Sequence, residues 1–277
     1  MSPSVLFFLM MKKHFIYTEA RSGSNFLVDL FNQHPHLVNY GEVLGSWTKP
    51  HKIYHALTRR MPSLAYLDFI YSSRTFYYLS QIYYAYQNFR RHKPIHFKWY
   101  RQISSVGIKD FHHTLLKYGL LDFLRGQPDL YIIYLYRENL LKQHLSLEVM
   151  RTTRVVSSEM TQDGKTVSQV KTARIRVELS EVLAVLANAE MEVLQREDIL
   201  SHIDSGHLLR ISYEDLFASP ESQAKFRRQA FEFLGVEPIA VTSRQRKLSS
   251  DHLQDLIENY DELRQGLINT PYAKYLY

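Results

Sequence analysis

The most constraining stretch of this chain runs from His14 to Phe31. His14-Phe15-Ile16-Tyr17-Thr18 is short, apolar and β-prone, which predicts a buried strand. Phe26, Leu27, Leu30 and Phe31 then recur at helical spacing, so a helix is expected from about Ser24 to Gln33, where His34-Pro35 blocks its continuation. The small polar turn between them, Glu19-Ala20-Arg21-Ser22-Gly23-Ser24-Asn25, therefore sits where free backbone N–H groups at a helix start can hold an anion. Gly23 permits close backbone approach, Ser22, Ser24 and Asn25 add donors, and Arg21 adds a fork-shaped cation.

A nucleoside triphosphatase loop fits this turn badly. That loop needs G-x-x-x-x-G-K-[ST], and here one glycine stands without a following Lys. A magnesium-binding Asp is expected at the end of a second strand. The best later strand, Tyr131 to Tyr136, instead runs into Arg137. The anion is thus expected to be met by arginine and backbone, without a metal.

Further motifs extend the pattern. Leu37 to Tyr40 predicts a short strand delivering Gly41-Glu42, a carboxylate placed to serve as general base. Ser105 to Lys109 predicts another buried strand with Lys109 at its carboxyl end, where open α/β sheets bind ligands. Beyond Arg137, Leu140, Leu141, Leu145 and Val149 predict a helix carrying Ser146, nine residues after the arginine. A strand-end Arg and a helical Ser together suit a second phosphate. His112 and His113 lack metal-ligand spacing and are expected to be structural, with an acceptor-side place as the alternative.

Arg-Ser-Gly-Ser after a strand, the downstream Gly41-Glu42, Gly107-Ile108-Lys109, and Arg137 with Ser146 together resemble the sulfotransferases that use 3′-phosphoadenosine 5′-phosphosulfate (PAPS). The Arg-to-Ser spacing of nine, Arg151-Thr152-Thr153-Arg154, and the tail from Lys247 to Tyr277 resemble the rhizobial Nod-factor sulfotransferases in particular. The Gly-Glu context is shared with tyrosylprotein sulfotransferases, a bacterial one included. This resemblance implies an α/β class chain, a three-layer α/β/α fold with a central parallel sheet of P-loop-like type. It implies Glu42 as base, with Arg21 and Lys109 stabilising the transferred group. Arg21, Ser22, Gly23, Ser24, Asn25 and Phe26 would hold the 5′-phosphosulfate, Arg137 and Ser146 the 3′-phosphate, and Lys247 would face the nucleotide. The acceptor is a hydroxyl, with a carbohydrate or glycolipid favoured and a peptide tyrosine as the alternative.

Composition bounds the rest. At 277 residues, 45% apolar and without internal repeats, the chain reads as one domain. An aromatic insert is expected over about 46–103 and a lid-like polar loop over about 152–172, followed by a long helix from Arg174 to about Ser205 with Val182, Val185, Leu186, Ala189 and Val193 as its apolar positions. Zero Cys excludes disulfides and thiolate chemistry. A net charge of +6 suits a polyanionic ligand, and would equally suit nucleic acid or an acidic membrane surface. No nucleic-acid module is recognisable, so a non-enzymatic nucleic-acid or anion-binding protein is the more distant alternative, and a nucleotide kinase is disfavoured by the missing Lys and Asp. The Tyr-rich run 63–86 carries Asp68, Arg74 and several serines, so one or two helices packed on the sheet are expected there, forming a wall of the acceptor cleft rather than a membrane span. Val5 to Met11 is too short to span a bilayer and lacks the basic start of a signal peptide. Translation is expected to begin at Met10 or Met11, and the compartment to be the cytoplasm, with peripheral membrane contact open.

Overall fold

A computed structural model describes residues 11–90, 92, 95–155, 173–245, 250 and 252–277. Lys247, Met10 and most of the 152–172 segment lie outside the described residues. Five strands form one sheet: β1 (Lys12–Thr18), β2 (Leu37–Asn39), β3 (Ser105–Phe111), β4 (Leu130–Tyr136) and β5 (Leu208–Ser212). All pair in parallel, in the order β2-β3-β1-β4-β5. A parallel sheet is covered on both faces, and the central strands read accordingly as unbroken apolar runs such as Tyr-Ile-Ile-Tyr-Leu.

One exception is His14, wholly buried within β1. The Asn39 amide lies 3.0 Å from its Nε2, and Ser105 Oγ lies 2.8 Å from its Nδ1. An amide donor on Nε2 places the proton on Nδ1, and burial lowers the pKa to about 3, so a neutral imidazole cross-links three strands. Gly107 is required beside it, because any Cβ there would collide with the imidazole ring.

Helices cover both faces, as the three-layer α/β/α expectation requires. On one face α1 (Ser24–Gln33) and α10 (Pro220–Phe233) pack Leu27, Leu30, Phe31 and Phe231 on Ile16 and Ile133. On the other, α3 (Leu64–Ser72), α4 (Arg74–Arg90), α5 (His112–Lys117) and α6 (Asp122–Arg125) close over Phe15, Tyr17 and Ile108. A further core joins α7 (Leu140–Thr153) and α8 (Leu179–Ser201) to the tail helices α11 (Leu253–Leu256) and α12 (Tyr260–Leu267). Two short helices complete the described chain, α2 (Lys49–Thr58) after β2 and α9 (Tyr213–Leu216) after β5.

Three sequence expectations need adjusting. The long helix expected from Arg174 begins only at Leu179, because Ile175 is drawn into a parallel bridge with Ile257, its N–H donating to Leu256 O at 2.8 Å. Strand β3 continues two residues past Lys109, so that lysine stands just inside the strand end. The aromatic stretch forms α3 and α4 as expected but is joined by α2, and most of α4 does not pack on the sheet: only Tyr77 and Gln81 are buried.

The topology opens one crevice. The connection leaving β1 passes over β3 to reach β2, whereas that leaving β4 runs the opposite way to β5. Their exits diverge between adjacent strands, and the crevice outside the carboxyl ends of such strands is where open α/β sheets take ligands.

Candidate active site

The β1–α1 turn borders this crevice. Arg21 adopts φ 65° and Gly23 φ 79°, two left-handed residues that coil the chain tightly before α1. Gly23 is the N-cap residue, and no side chain caps the helix start. A Cβ at Gly23 would lie 2.7 Å from the Phe217 ring, so the position excludes side chains sterically as well as by backbone angle. Ser22 and Ser24 are buried and Asn25 is exposed. The Phe26 N–H is turned back onto Gly23 O at 2.9 Å and so serves the helix. Gln143 on α7 clamps the turn, its Nε2 donating to Ala20 O at 2.7 Å and lying 3.1 Å from Ser22 Oγ.

Arginines from neighbouring strand ends converge here. Arg21 Nε donates to Ser146 Oγ at 3.0 Å, and Arg137 Nη1 reaches Arg21 O at 3.4 Å. The two groups expected to hold separate phosphates thus adjoin through two hydrogen bonds. Burial, and then the Arg137 charge, holds Arg21 below its ordinary pKa. Arg137 stacks over the Tyr213 ring at 4.5 Å, and its Nε lies 3.7 Å from Glu214 Oε1. Glu214 in turn accepts the N–H groups of Glu138 and Asn139 at 2.9 and 3.2 Å, fixing the chain on which Arg137 rides. A cleft of about 470 Å³ opens beside Ser22, Tyr136, Arg137 and Gln143.

Across β1 lies a carboxylate–ammonium pair. Gly41, at φ 70°, turns the chain after β2, with its carbonyl accepting the Lys109 N–H at 3.0 Å. This brings Glu42 Oε1 into an ion pair with Lys109 Nζ. The lysine side chain is 3% exposed and the glutamate 22%, so the carboxylate is the partner open to an incoming molecule. Trp47 Nε1 donates to Glu42 Oε2 at 2.6 Å. The loop is held from below by Asp110, whose Oδ2 accepts the N–H groups of Val43 and Leu44 at 3.1 and 2.8 Å. Burial pushes the Asp110 carboxyl up to about 6 against those hydrogen bonds.

Sequence reasoning missed the supporting partners. Gln143, Asp110 and Trp47 act across chain separations or through loop closure, and no motif marks them. It also missed Glu19, which pairs with Arg196 at 3.3 Å and accepts the His112 N–H at 3.1 Å. His112 is buried, with its Nδ1 2.6 Å from the Tyr17 hydroxyl. Among the described residues no group of three or more His, Cys, Asp or Glu is arranged to hold a metal.

No protein-family model and no curated protein matches the chain. Three solved structures that it resembles are sulfotransferases. One, from Alicyclobacillus acidocaldarius, is 15% identical and covers 95% of this chain and 93% of its own, with a TM-score of 0.45. The sulfotransferase domain of the curacin biosynthetic pathway is 15% identical over 82% of this chain and 75% of its own, with a TM-score of 0.39. The corresponding domain of the Synechococcus PCC 7002 olefin synthase is 18% identical over 82% and 74%, with a TM-score of 0.36. Such distant likenesses leave the site to be judged on its own residues.

Proposed function

We propose that this chain transfers a sulfuryl group from PAPS to a hydroxyl acceptor. The observation that carries the reading is the meeting of Arg21, Arg137 and Ser146 at the β1–β4 crevice, with the Glu42–Lys109 pair on the strand beside it. Two guanidinium groups and a hydroxyl beside a glycine turn fit a nucleotide with two separate anionic groups. The donor supplies an activated sulfuryl group on a phosphate that leaves as part of adenosine 3′,5′-bisphosphate (PAP).

The residues divide the work. Glu42 takes the proton of the acceptor hydroxyl as its oxygen forms the new bond to sulfur and the bond from sulfur to the phosphate oxygen breaks. Lys109 and Arg21 meet the negative charge on the transferring group and on the departing phosphate, stabilisation set in place before the reaction begins. Arg137 and Ser146 hold the 3′-phosphate, which separates PAPS from ATP. The acceptor we favour is a carbohydrate or glycolipid hydroxyl.

The test is a thermal-shift comparison of PAP, ADP and AMP at matched concentration without magnesium. A ligand that binds only the folded state raises the melting temperature by mass action. A large shift with PAP beside almost none with ADP or AMP is expected. Equal shifts, or a shift only with ATP and magnesium, would point to a kinase instead.

A further inference from the structure

Fifteen of the twenty large hydrophobic side chains exposed among the described residues fall between Trp47 and Trp99. They are not scattered. On α4, Leu79, Ile82, Tyr86 and Phe89 follow one another at spacings of three or four, with Tyr83 four after Leu79 and three before Tyr86, and so line one stripe of the helix. Leu79 is 60% exposed, Ile82 58% and Phe89 69%. A helix on a globular surface ordinarily turns its apolar stripe inward and its polar face to water; here the outward face is the apolar one. Neighbouring elements continue it. Leu57 on α2 is 80% exposed, and Lys49 Nζ, at the start of that helix, lies 5.0 Å over the Tyr83 ring. An apolar surface of this extent marks an interaction site.

Its charge says what kind. Residues 46–103 hold ten Lys and Arg against one acidic residue, Asp68, a balance of +9 in a chain whose whole is +6, so the remainder is net −3. A second copy is a poor occupant, because a two-fold interface sets a patch against itself and would press like charges together. Nucleic acid would use the cations but has no use for exposed Leu, Ile and Phe. Apolar side chains among cations match the surface of an anionic bilayer, where the rings and aliphatic chains enter the headgroup layer and Lys and Arg meet the phosphates. No helix of the described residues is long and apolar enough to cross a membrane, so the contact is peripheral.

We propose that the α2–α4 face is an interfacial docking surface for an anionic lipid bilayer. Trp47, 54% exposed and two residues before the Lys49 that lies over Tyr83, donates to Glu42. Docking there therefore brings the bilayer towards the loop that carries the partly exposed Glu42 carboxylate. Where the sulfuryl-transfer reading holds, this favours an acceptor whose hydroxyl sits in a lipid headgroup.

Flotation of the full chain with vesicles tests the surface, without nucleotide, so that its failure and the failure of the catalytic reading are separable. Association with 1:1 phosphatidylglycerol–phosphatidylcholine vesicles is expected, at least tenfold weaker on phosphatidylcholine alone, and falling as salt is raised. I82Q/F89Q is expected to lower partitioning by about a hundredfold with unchanged melting temperature, since both side chains are exposed. K52E/R59E is expected to weaken binding to the anionic vesicles only. No association at low salt, association that I82Q/F89Q leaves intact, or a lipid-free dimer dissociated by that pair would overturn the proposal.

Discussion

At the scale of single residues, the proposed reaction gives the base and the nucleotide clamp to different residues, and two substitutions separate them experimentally. Glu42→Gln is expected to lower turnover by about 10²–10⁴ with PAP affinity kept. Arg137→Ala should instead weaken PAP binding by about ten- to a hundredfold, the loss of a charged hydrogen-bonding partner. If Glu42→Gln kept full turnover in a sulfuryl-transfer assay, the base would have to be sought elsewhere. A third residue links the site to pH. The Asp110 carboxyl is held up at about 6, above its unfolded value of 3.8. Its contribution to stability is therefore fully present below pH 3.8 and is lost as pH rises through 6, when the folded protein must carry a buried carboxylate. Asp110→Asn keeps an oxygen for the Val43 and Leu44 N–H groups and removes that ionisation. Melting temperatures across pH 4 to 8 should show the wild type losing ground to the variant between about pH 4 and 6 and running parallel to it above that, whatever fixed offset the substitution brings. Curves parallel throughout would show that Asp110 titrates normally.

Among elements, the strands and the first helix were legible because each satisfies a local rule. The run from Phe15 to Thr18 is apolar at every position but its last, Pro35 bars the end of α1, and Tyr131 to Tyr136 can only be a covered strand. The β1–α1 turn was legible as a small polar break between strand and helix. What was not legible depends on pairing between distant segments. Ile175 left the expected helix because Ile257, 82 residues on, offered it a bridge, and no propensity within 173–178 encodes that. The Gln143 clamp and the Glu214 brace are likewise products of packing rather than of spacing. The turn itself yields a test. Gly23→Ala forces an L side chain into φ 79° and against the Phe217 ring, at a cost of about 1–3 kcal/mol. A melting temperature lower by several degrees and a weaker PAP shift are expected together; a fall in stability with PAP affinity intact would separate the turn from the nucleotide.

In the molecule as a whole, each strand ends at one edge of the sheet with a contribution to the site. β2 delivers Glu42, β3 Lys109, β1 the glycine turn, β4 Arg137, and β5 the Tyr213–Glu214 support. Parallel pairing makes this possible, since it points every carboxyl end the same way, and the diverging exits of β1 and β4 leave that edge open. The opposite edge is tied down differently: Lys98 Nζ donates to the carbonyls of Asn32, His34 and Leu37 at 2.8, 2.7 and 2.6 Å, closing the turn between α1 and β2. Only two tryptophans occur in the chain, and one of them, Trp47, hydrogen-bonds the carboxylate read as the base. The protein thus carries its own optical reporter. In a Trp99→Phe background all indole emission comes from beside Glu42, so acceptor arrival becomes visible in the spectrum without a label. Emission that stays the same when Glu42→Gln is added to that background would show that the indole and the carboxylate part company in solution.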